Sequence, residues 1–417
     1  MKRKPDSHVQ LDDEGRLILP QEIMARYGLA PGSRIPIDTG TYGVQLQQPV
    51  TRLKKLYIEP TNQCNLTCRT CIRNAWDEPV GQMDDATFTH ILNGLHDFPS
   101  FPTVLFGGFG EPLLHPRIAE MVAQVKSLGI PVELITNGTL LTEDLSRRLI
   151  TAGLDVLWVS LDGATPESFA DVRLGAELPE IVENVARFRD IHWSSQGQLP
   201  HIGIIFVAME SNIADLPAVV KLGRKLLADR FLITNVLPYT ADMCDEVLYS
   251  SVLRNIASFP TPWAPLLNMS KMDMNEITRE PLYQIVRAWQ TSNSAKDNKE
   301  DSNNYCPFIE KGSAAICWDG SMSPCLPLMH SHVSFLRGRK RFSRRYMIGN
   351  VATHSMDDLW SSTEYVTFRE RVQAFDFSPC TFCGGCDLSE SNKEDCFGNA
   401  FPTCGGCLWA QGIIHCP

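Results

Sequence analysis

The sequence lacks three features that would place it among membrane, secreted or nucleic-acid-binding proteins. No segment approaches the roughly 18 consecutive apolar residues that a membrane-spanning helix needs. The start, Met1 to Asp6, has no apolar signal core. The chain has 48 acidic and 38 basic residues, a formal charge of −10, whereas nucleic acids and anionic membranes are bound largely through positive charge. We therefore expect a cytoplasmic protein that is not attached to a membrane and does not act mainly on nucleic acid.

Cysteine, by contrast, is abundant. The 417 residues include 14 cysteines, more than the packing of a core requires, and reducing conditions in the cytoplasm disfavour a disulfide scaffold. Bound metal or iron–sulfur clusters are therefore the expected use of these thiols. Cys244 lies apart from the others and is expected to be an ordinary buried thiol.

Cys64, Cys68 and Cys71 form a C-x3-C-x2-C triplet directly after the apolar run 56–58. Three thiolates on one loop can hold three corners of a 4Fe-4S cube and leave the fourth iron without a protein ligand. An iron with an open position is a place for chemistry. The triplet alone leaves a zinc site and an electron-transfer cluster open as alternatives.

Apolar runs of strand length alternate with amphipathic helical patterns between residues 54 and 239. The predicted strands contain residues 56–58, 104–106, 132–135, 156–159, 202–207 and 231–233, and the predicted helices span 118–128, 145–152, 181–191 and 216–227. Six such units with short turns indicate an α/β fold with a parallel sheet and helices outside it. Ligands of these sheets bind at the carboxyl ends of the strands, where the triplet lies.

The flanking segments have other patterns. Residues 1–50 predict a small β-rich module of two hairpins and a short helix, with equal numbers of acidic and basic residues. Residues 241–289 have lower periodicity and are expected to add helices over the mouth of the sheet. Residues 290–304 are almost entirely polar and predict a linker, so that residues 51–289 and 305–417 form separate domains.

The last part of the chain is dense in cysteine and also carries a basic run. Ten cysteines are candidate metal ligands there: Cys306, Cys317, Cys325, Cys380, Cys383, Cys386, Cys396, Cys404, Cys407 and Cys416. They suffice for two four-cysteine clusters with two thiols left over, although structural zinc fits C-x2-C pairs equally well. The run from Arg337 to Arg345, flanked by His330 and His332, is either a solvated loop or an anion site.

These motifs together resemble the radical SAM superfamily with a C-terminal SPASM domain. The resemblance rests on the triplet, on the turn Gly107-Gly108-Phe109-Gly110-Glu111-Pro112 and on the spacing of Cys306, Gly320 and Cys325. It implies a partial (β/α)6 barrel in residues 51–289 and a SPASM domain in residues 305–417. It also implies S-adenosylmethionine as cofactor, with one 4Fe-4S cluster that binds it and two auxiliary 4Fe-4S clusters.

The resemblance also assigns roles to residues at the strand ends. Cys64, Cys68 and Cys71 would hold the catalytic cluster, and Gly107, Gly108 and Glu111 would receive the methionine ammonium. The other candidate cofactor contacts, for the ribose and the methionine carboxylate, are Asn137, Ser160, Asp162 and Arg173. A tight turn capped by a carboxylate is the alternative for the glycine-rich element. Three departures from the family are the two residues inserted between Gly108 and Glu111 in its Gly-Gly-Glu-Pro element, Thr70, where an aromatic residue is usual, and the spacing of the cysteines after Cys383.

More narrowly, the sequence is similar to the tungsten cofactor oxidoreductase radical SAM maturases, and residues 15–20 and 29–33 resemble the AbrB-type module. The expected partners are a tungstoenzyme of the aldehyde ferredoxin oxidoreductase type or its pterin cofactor, and a reductant such as ferredoxin or flavodoxin. A dimer through the N-terminal module is also expected. The alternative functions are a sulfatase-maturase-like or peptide-modifying radical SAM/SPASM enzyme and a redox-sensing DNA-binding regulator.

Overall fold

The computed structural model describes residues 10–27, 29, 35, 37–40, 43–46, 52–98, 100–194, 200–253, 267–289, 304–383 and 385–417. The predicted linker lies almost entirely outside these residues. No helix in the described ranges is both long and apolar enough to cross a membrane.

The described residues form sixteen strands and twelve α-helices. The strands are β1 Gln10–Leu11, β2 Leu17–Ile18, β3 Ile37–Gly40, β4 Gly43–Leu46, β5 Lys55–Ile58, β6 Thr103–Phe106, β7 Val132–Thr136, β8 Val156–Ser160, β9 His201–Ala208, β10 Arg230–Asn235, β11 Leu267–Met269, β12 Ser313–Ile316, β13 Ser321–Ser323, β14 His332–Leu336, β15 Arg339–Ser343 and β16 Gly349–Asn350. The helices are α1 Gln21–Tyr27, α2 Asp85–Leu95, α3 Ile118–Ser127, α4 Glu143–Thr151, α5 Pro166–Val172, α6 Leu178–Ser194, α7 Leu216–Lys225, α8 Arg279–Trp289, α9 Pro307–Glu310, α10 Met356–Ser361, α11 Thr363–Ala374 and α12 Cys380–Cys383.

A ten-stranded sheet runs through the molecule in the order β11-β10-β9-β8-β7-β6-β5-β12-β13-β16. The six predicted strands are β5 to β10, and they pair in parallel in sequence order. This confirms the predicted α/β fold with a parallel sheet. β8 is buried along its whole length, as expected for a strand covered on both faces.

Local sequence explains why helices follow these strands. The Asp84 side chain accepts a hydrogen bond from the Thr87 N–H at the start of α2, and Thr165 and Ser168 form a capping box at α5. In α3, residues Ile118, Met121, Val122 and Val125 are buried, the spacing of one helix face. The helices therefore cover the sheet with their apolar sides.

Two parts of the sheet were not predicted. Within residues 241–289, β11 adds a seventh strand parallel to β10. On the other edge, β12 pairs in parallel with β5, and β13 and β16 follow in antiparallel orientation. The cysteine-rich segment therefore continues the sheet of the barrel, although a polar segment separates the two in sequence.

The N-terminal segment has the predicted succession of elements. β1 pairs with β2 and β3 with β4, both antiparallel, with α1 between the two hairpins. The apolar side chains of Leu11, Ile18 and Ile37 are exposed. The resemblance to the AbrB module remains a prediction.

Candidate active site

The loop that carries the cysteine triplet begins where β5 ends, at the carboxyl edge of the sheet. Its backbone is held by side chains from within the loop: Arg73 Nη2 donates to the Leu66 carbonyl at 2.8 Å, and Asn74 Nδ2 donates to the Cys68 carbonyl at 3.0 Å. The Cys71 N–H also donates to the Cys68 carbonyl, at 3.1 Å. These bonds fix a curved backbone, so the three thiols share one small region.

A cleft of about 1000 Å³ lies at this edge of the sheet. It is lined by the three cysteines and by polar residues that follow the next strands. The residues predicted from sequence that line it are Cys64, Cys68, Cys71, Gly108, Glu111, Asn137, Ser160 and Arg173. The structure thus brings together groups that are separated by up to about a hundred residues of sequence, because parallel strands end at one edge.

Glu111 is buried and held by three hydrogen bonds. Its carboxylate accepts from the Asn137 N–H at 2.7 Å, the Thr136 hydroxyl at 2.8 Å and the Leu113 N–H at 3.0 Å. Burial outweighs these donors and raises the pKa of the carboxyl to about 7. A cation that entered the cleft would stabilise the charged form of this carboxylate.

Arg173 faces the loop that carries the cysteine triplet. Its Nη2 forms an ion pair of 2.6 Å with Asp162, and its Nη1 lies 3.7 Å from Cys68 Sγ. Asp162 is fully buried behind the guanidinium and does not line the cleft. The structure therefore gives Asp162 a different place from the predicted cofactor contact: it orients Arg173, and it also accepts from the Val207 N–H at 2.8 Å.

The glycine-rich turn lies directly against the chain that precedes Cys64. A Cβ on Gly110 would lie 2.1 Å from the Thr61 carbonyl oxygen, and Gly108 has a φ of +146°. Glycine is therefore required at both positions. Gly107, a predicted cofactor contact, is instead buried against the Leu105 and Ile135 side chains and does not line the cleft.

Several residues of the cleft were not predicted from sequence. Thr234 and Asn235 end β10, and Trp409 and Ile414 come from the last fifteen residues. Asn235 Oδ1 is buried without a hydrogen-bond partner in the described residues. Asn235 supplies a hydrogen-bond acceptor for a ligand, and Phe109 and Trp409 supply two aromatic rings. They line the same cleft as Thr70, which stands where the family usually has an aromatic residue. The only local feature of the sequence that points to Asn235 as a site residue is that it is a polar residue at the end of a strand.

Four cysteines of the tail, residues 305–417, line a second cavity. They are Cys306, Cys325, Cys404 and Cys407. Burial raises the pKa of the Cys306 thiol to about 12, and the pKa values of the other three are raised for the same reason. Thiols this deeply buried ionise only if a bound cation compensates their charge.

The other tail cysteines lie elsewhere. Cys380 is buried, whereas Cys383, Cys386 and Cys396 are exposed. Cys317 and Cys416 were predicted as possible ligands with the rest, but neither lines the four-cysteine cavity. Cys416 accepts a hydrogen bond from Trp409 Nε1 at 3.3 Å, and Cys317 lies beside Glu59 and His330. Cys244 is half-buried in a surface groove.

One close group of candidate metal ligands lies in the described part of the chain. The ligand atoms of Glu59, Cys317 and His330 all lie within 4.8 Å of one another, and no three cysteine sulfurs of the described residues meet this limit. The two cysteine sets are therefore defined by the cavities that they line.

A buried histidine, His330, joins the tail to the segments on either side of the loop that carries the cysteine triplet. His330 Nε2 lies 2.9 Å from Glu59 Oε2, and its Nδ1 lies 2.6 Å from Glu78 Oε2. Burial alone would lower the pKa of this imidazole, but the two carboxylates outweigh it and raise the pKa to about 9. Glu59 in turn accepts from the Phe109 N–H at 3.0 Å, so the contact reaches the glycine-rich turn.

Comparison with known proteins gives the family. Residues 58–221 match the radical SAM superfamily, and residues 306–387 match the SPASM iron–sulfur cluster-binding domain. The chain is 30% identical over 372 residues, 88% of its length, to the tungsten-containing aldehyde ferredoxin oxidoreductase cofactor-modifying protein of Pyrococcus furiosus, 97% of which is covered. The chain belongs to the radical SAM enzymes with a SPASM domain. This confirms the family that the cysteine motifs predicted.

Other proteins resemble parts of the chain or its fold. A probable GTP 3',8-cyclase of Methanocaldococcus jannaschii is 29% identical over 175 residues, 42% of this chain and 56% of that protein. The solved structure of anSMEcpe with bound AdoMet matches with a TM-score of 0.51 at 15% identity, over 88% of this chain and 92% of that one. SuiB of Streptococcus suis with bound S-adenosylmethionine matches with a TM-score of 0.50 at 16% identity, over 82% and 72%. These two structures share the fold.

Proposed function

We propose that this radical SAM enzyme is a maturase that acts on the cofactor or the polypeptide of a tungsten-dependent enzyme of the aldehyde ferredoxin oxidoreductase type. The single observation that carries the chemistry is the cleft in which Cys64, Cys68 and Cys71 face Glu111 and Arg173. The similarity over nearly the whole length of the Pyrococcus furiosus protein supports the choice of substrate system.

The three cysteines of the loop would hold a 4Fe-4S cluster with one iron open to the cleft. All three cysteines line the cleft, which has room for a cofactor beside them. When the cluster and S-adenosylmethionine are bound and one electron is supplied, they provide methionine and a 5'-deoxyadenosyl radical that takes a hydrogen atom from the substrate.

The side chains of the cleft would bind the two charged groups of the methionine moiety. Glu111 is a buried acceptor for the ammonium, and Arg173, fixed by Asp162, is a donor for the carboxylate. Asn137 and Ser160 line the cleft as hydrogen-bonding groups for the ribose. The unpaired Oδ1 of Asn235 offers a further acceptor. Because hydrogen bonds fix Glu111 and an ion pair fixes Arg173, these parts of the cleft are formed before the cofactor arrives.

The tail would hold the auxiliary clusters. Cys306, Cys325, Cys404 and Cys407 surround one cavity with four thiols, the ligand number of a 4Fe-4S cluster. Cys380, Cys383, Cys386 and Cys396 would be the ligands of a second one. Leu237 and Trp409 line both the cleft and the four-cysteine cavity, so a single layer of side chains separates the two. This short separation suits electron transfer between the substrate and the tail, and a ferredoxin or flavodoxin would be the external reductant.

The test is to replace Cys64, Cys68 and Cys71 together by alanine in the anaerobically reconstituted, reduced protein. We expect 5'-deoxyadenosine formation to be lost, because no cluster with an open iron can form, while the iron bound by the tail is retained. The matched control is Cys244→Ala, a thiol outside both cysteine sets, which should leave the product yield unchanged. Persistence of 5'-deoxyadenosine in the triple variant would refute the assignment.

The substrate is tested by adding the candidate tungstoenzyme. We expect 5'-deoxyadenosine formation to increase with the partner present, and mass spectrometry to find the change in its pterin cofactor. A mass change in the partner polypeptide instead would favour a peptide-modifying enzyme.

A further inference from the structure

The basic run of the tail folds into the hairpin of β14 and β15, and one of its arginines is buried. Along β15, Lys340 and Phe342 are exposed, whereas the side chain of Arg341 between them points inward and is only 6% exposed. This is the alternation of a strand with one buried face. A charged side chain occupies the position where an apolar one is expected.

The Arg341 guanidinium has no counter-charge among the described residues. Its Nη1 is buried without a hydrogen-bond partner, and none of the described carboxylates forms an ion pair with it. Arg369, the other buried arginine of the tail, also has two nitrogens, Nε and Nη2, without a hydrogen-bond partner in the described residues. Its guanidinium, however, lies over the rings of Trp360 and Tyr365 and donates to the Trp360 carbonyl at 2.8 Å. A buried cation without such contacts is destabilising, so an anion beside Arg341 would stabilise it.

The surroundings of Arg341 are the tail cysteines. Its side chain lines the four-cysteine cavity together with Cys404 and Cys407. Gly406, between the two cavity cysteines, leaves the space that the guanidinium fills, because a Cβ there would lie 1.5 Å from Arg341 Nη1. The local sequence Cys404-Gly405-Gly406-Cys407 is thus fitted to this arginine as well as to a cluster.

We propose that Arg341 is the counter-charge of the cluster held by Cys306, Cys325, Cys404 and Cys407 and that it raises the reduction potential of this cluster. The inference rests on the proposed function of the four cysteines. A cluster with four thiolate ligands is anionic, and the uptake of one electron adds one negative charge without making or breaking a bond. A guanidinium fixed beside it therefore stabilises the reduced form more than the oxidised form.

A raised reduction potential of this cluster would favour electron transfer to it from the neighbouring cleft. The cavity shares Leu237 and Trp409 with the cleft of the catalytic triplet. A cluster that accepts an electron more readily can take it from a substrate radical formed in that cleft, which would leave the product oxidised and the cluster reduced by one electron. Arg341 is then a positioning residue that acts through the cluster and does not touch the substrate.

The experiment is a redox titration of the full-length reconstituted protein, followed by electron paramagnetic resonance. Replacing Cys64, Cys68 and Cys71 by alanine in all samples removes the signal of the catalytic triplet. The signal that is lost in Cys404→Ala/Cys407→Ala then identifies the cluster of interest. In Arg341→Gln, we expect its equilibrium constant for one-electron reduction to fall at least tenfold, a shift of 59 mV to lower potential.

Three further variants separate charge from structure. Lys340→Gln removes the same charge from the exposed side of the strand and should leave the potential unchanged. Arg341→Lys keeps the charge and should stay closer to the parent than Arg341→Gln. Gly406→Ala displaces the guanidinium and should lower the potential by itself, with no additional shift when it is combined with Arg341→Gln. If Arg341→Gln does not retain the cluster, the reduction potential of Gly406→Ala tests the proposal instead.

Two results have distinct meanings. If the iron content and the spectrum do not change in Cys404→Ala/Cys407→Ala, these cysteines hold no cluster and the proposed function of the tail fails. If the cluster is present but its potential is the same in the parent, Arg341→Gln and Gly406→Ala, the proposed role of Arg341 is overturned.

Discussion

Glu111 is the residue whose chemical state decides whether the cleft can bind a cation. Its three donors come from Thr136, Asn137 and Leu113, and burial keeps its pKa near 7. In Glu111→Gln the neutral amide cannot compensate the methionine ammonium, and a charge-assisted bond of about 1.5–3 kcal/mol is lost. We expect S-adenosylmethionine to bind about 10- to 100-fold more weakly, as measured by equilibrium dialysis of the reconstituted protein.

The control for this variant is Glu143→Gln, an exposed glutamate paired with Arg147 on α4. It should bind S-adenosylmethionine like the parent. Equal affinity in Glu111→Gln and the parent would remove Glu111 from the proposed binding site.

At the scale of elements, His330 connects three segments: the end of β5 through Glu59, the stretch after the triplet through Glu78, and the tail before β14. Its pKa is about 9 in the folded protein and about 6.5 in an unfolded chain. A raised pKa means that the stabilisation is complete below about pH 6.5 and is lost as the pH rises through 9. The shift corresponds to about 3 kcal/mol at most.

The measurement compares thermal midpoints of the parent and His330→Gln under anaerobic conditions. We expect the variant to be less stable at pH 6.5 and the difference to shrink toward pH 9.5. His354→Gln, at an exposed position, should show no such dependence. A difference that is constant over this range would mean that the imidazolium charge is not what joins the segments.

Sequence patterns predicted which segments form strands better than they predicted which strands pair with one another. The six strands from β5 to β10 follow from apolar runs because each run is local. β11, β12, β13 and β16 were missed because their sequences, LNM, SAAI, SMS and GN, are not runs of large apolar residues. Their strand conformation depends on pairing with neighbours that are distant in sequence.

At the scale of the whole molecule, the tail is part of the sheet. β12 covers the edge of β5, and Trp409 and Ile414 complete the cleft. We expect a chain of residues 52–289 to aggregate or to remain unfolded, because the edge of β5 and the apolar side chains beneath the tail would be exposed. Size-exclusion chromatography and circular dichroism test this.

The control for the chain of residues 52–289 is a second truncation, which removes only residues 1–50. The described hairpins of this segment pair within themselves, and we propose that it is a separate module. The shortened chain should therefore fold and still form 5'-deoxyadenosine. If it fails to fold while residues 52–289 are soluble and folded, the proposed division of the chain is wrong.

The sequence by itself determined the family, the place of the cysteine triplet after the first strand of the sheet and the parallel sheet, since each depends on the spacing of neighbouring residues. Only the tertiary structure decided which tail cysteines share a cavity, that Asp162 lies behind Arg173, and that Asn235 and Trp409 belong to the cleft. It also buried Arg341 within a run for which the sequence left a solvated loop and an anion site as alternatives. These features join residues that are far apart along the chain, and such contacts arise from the way the sheet and the tail pack together, which no local pattern encodes.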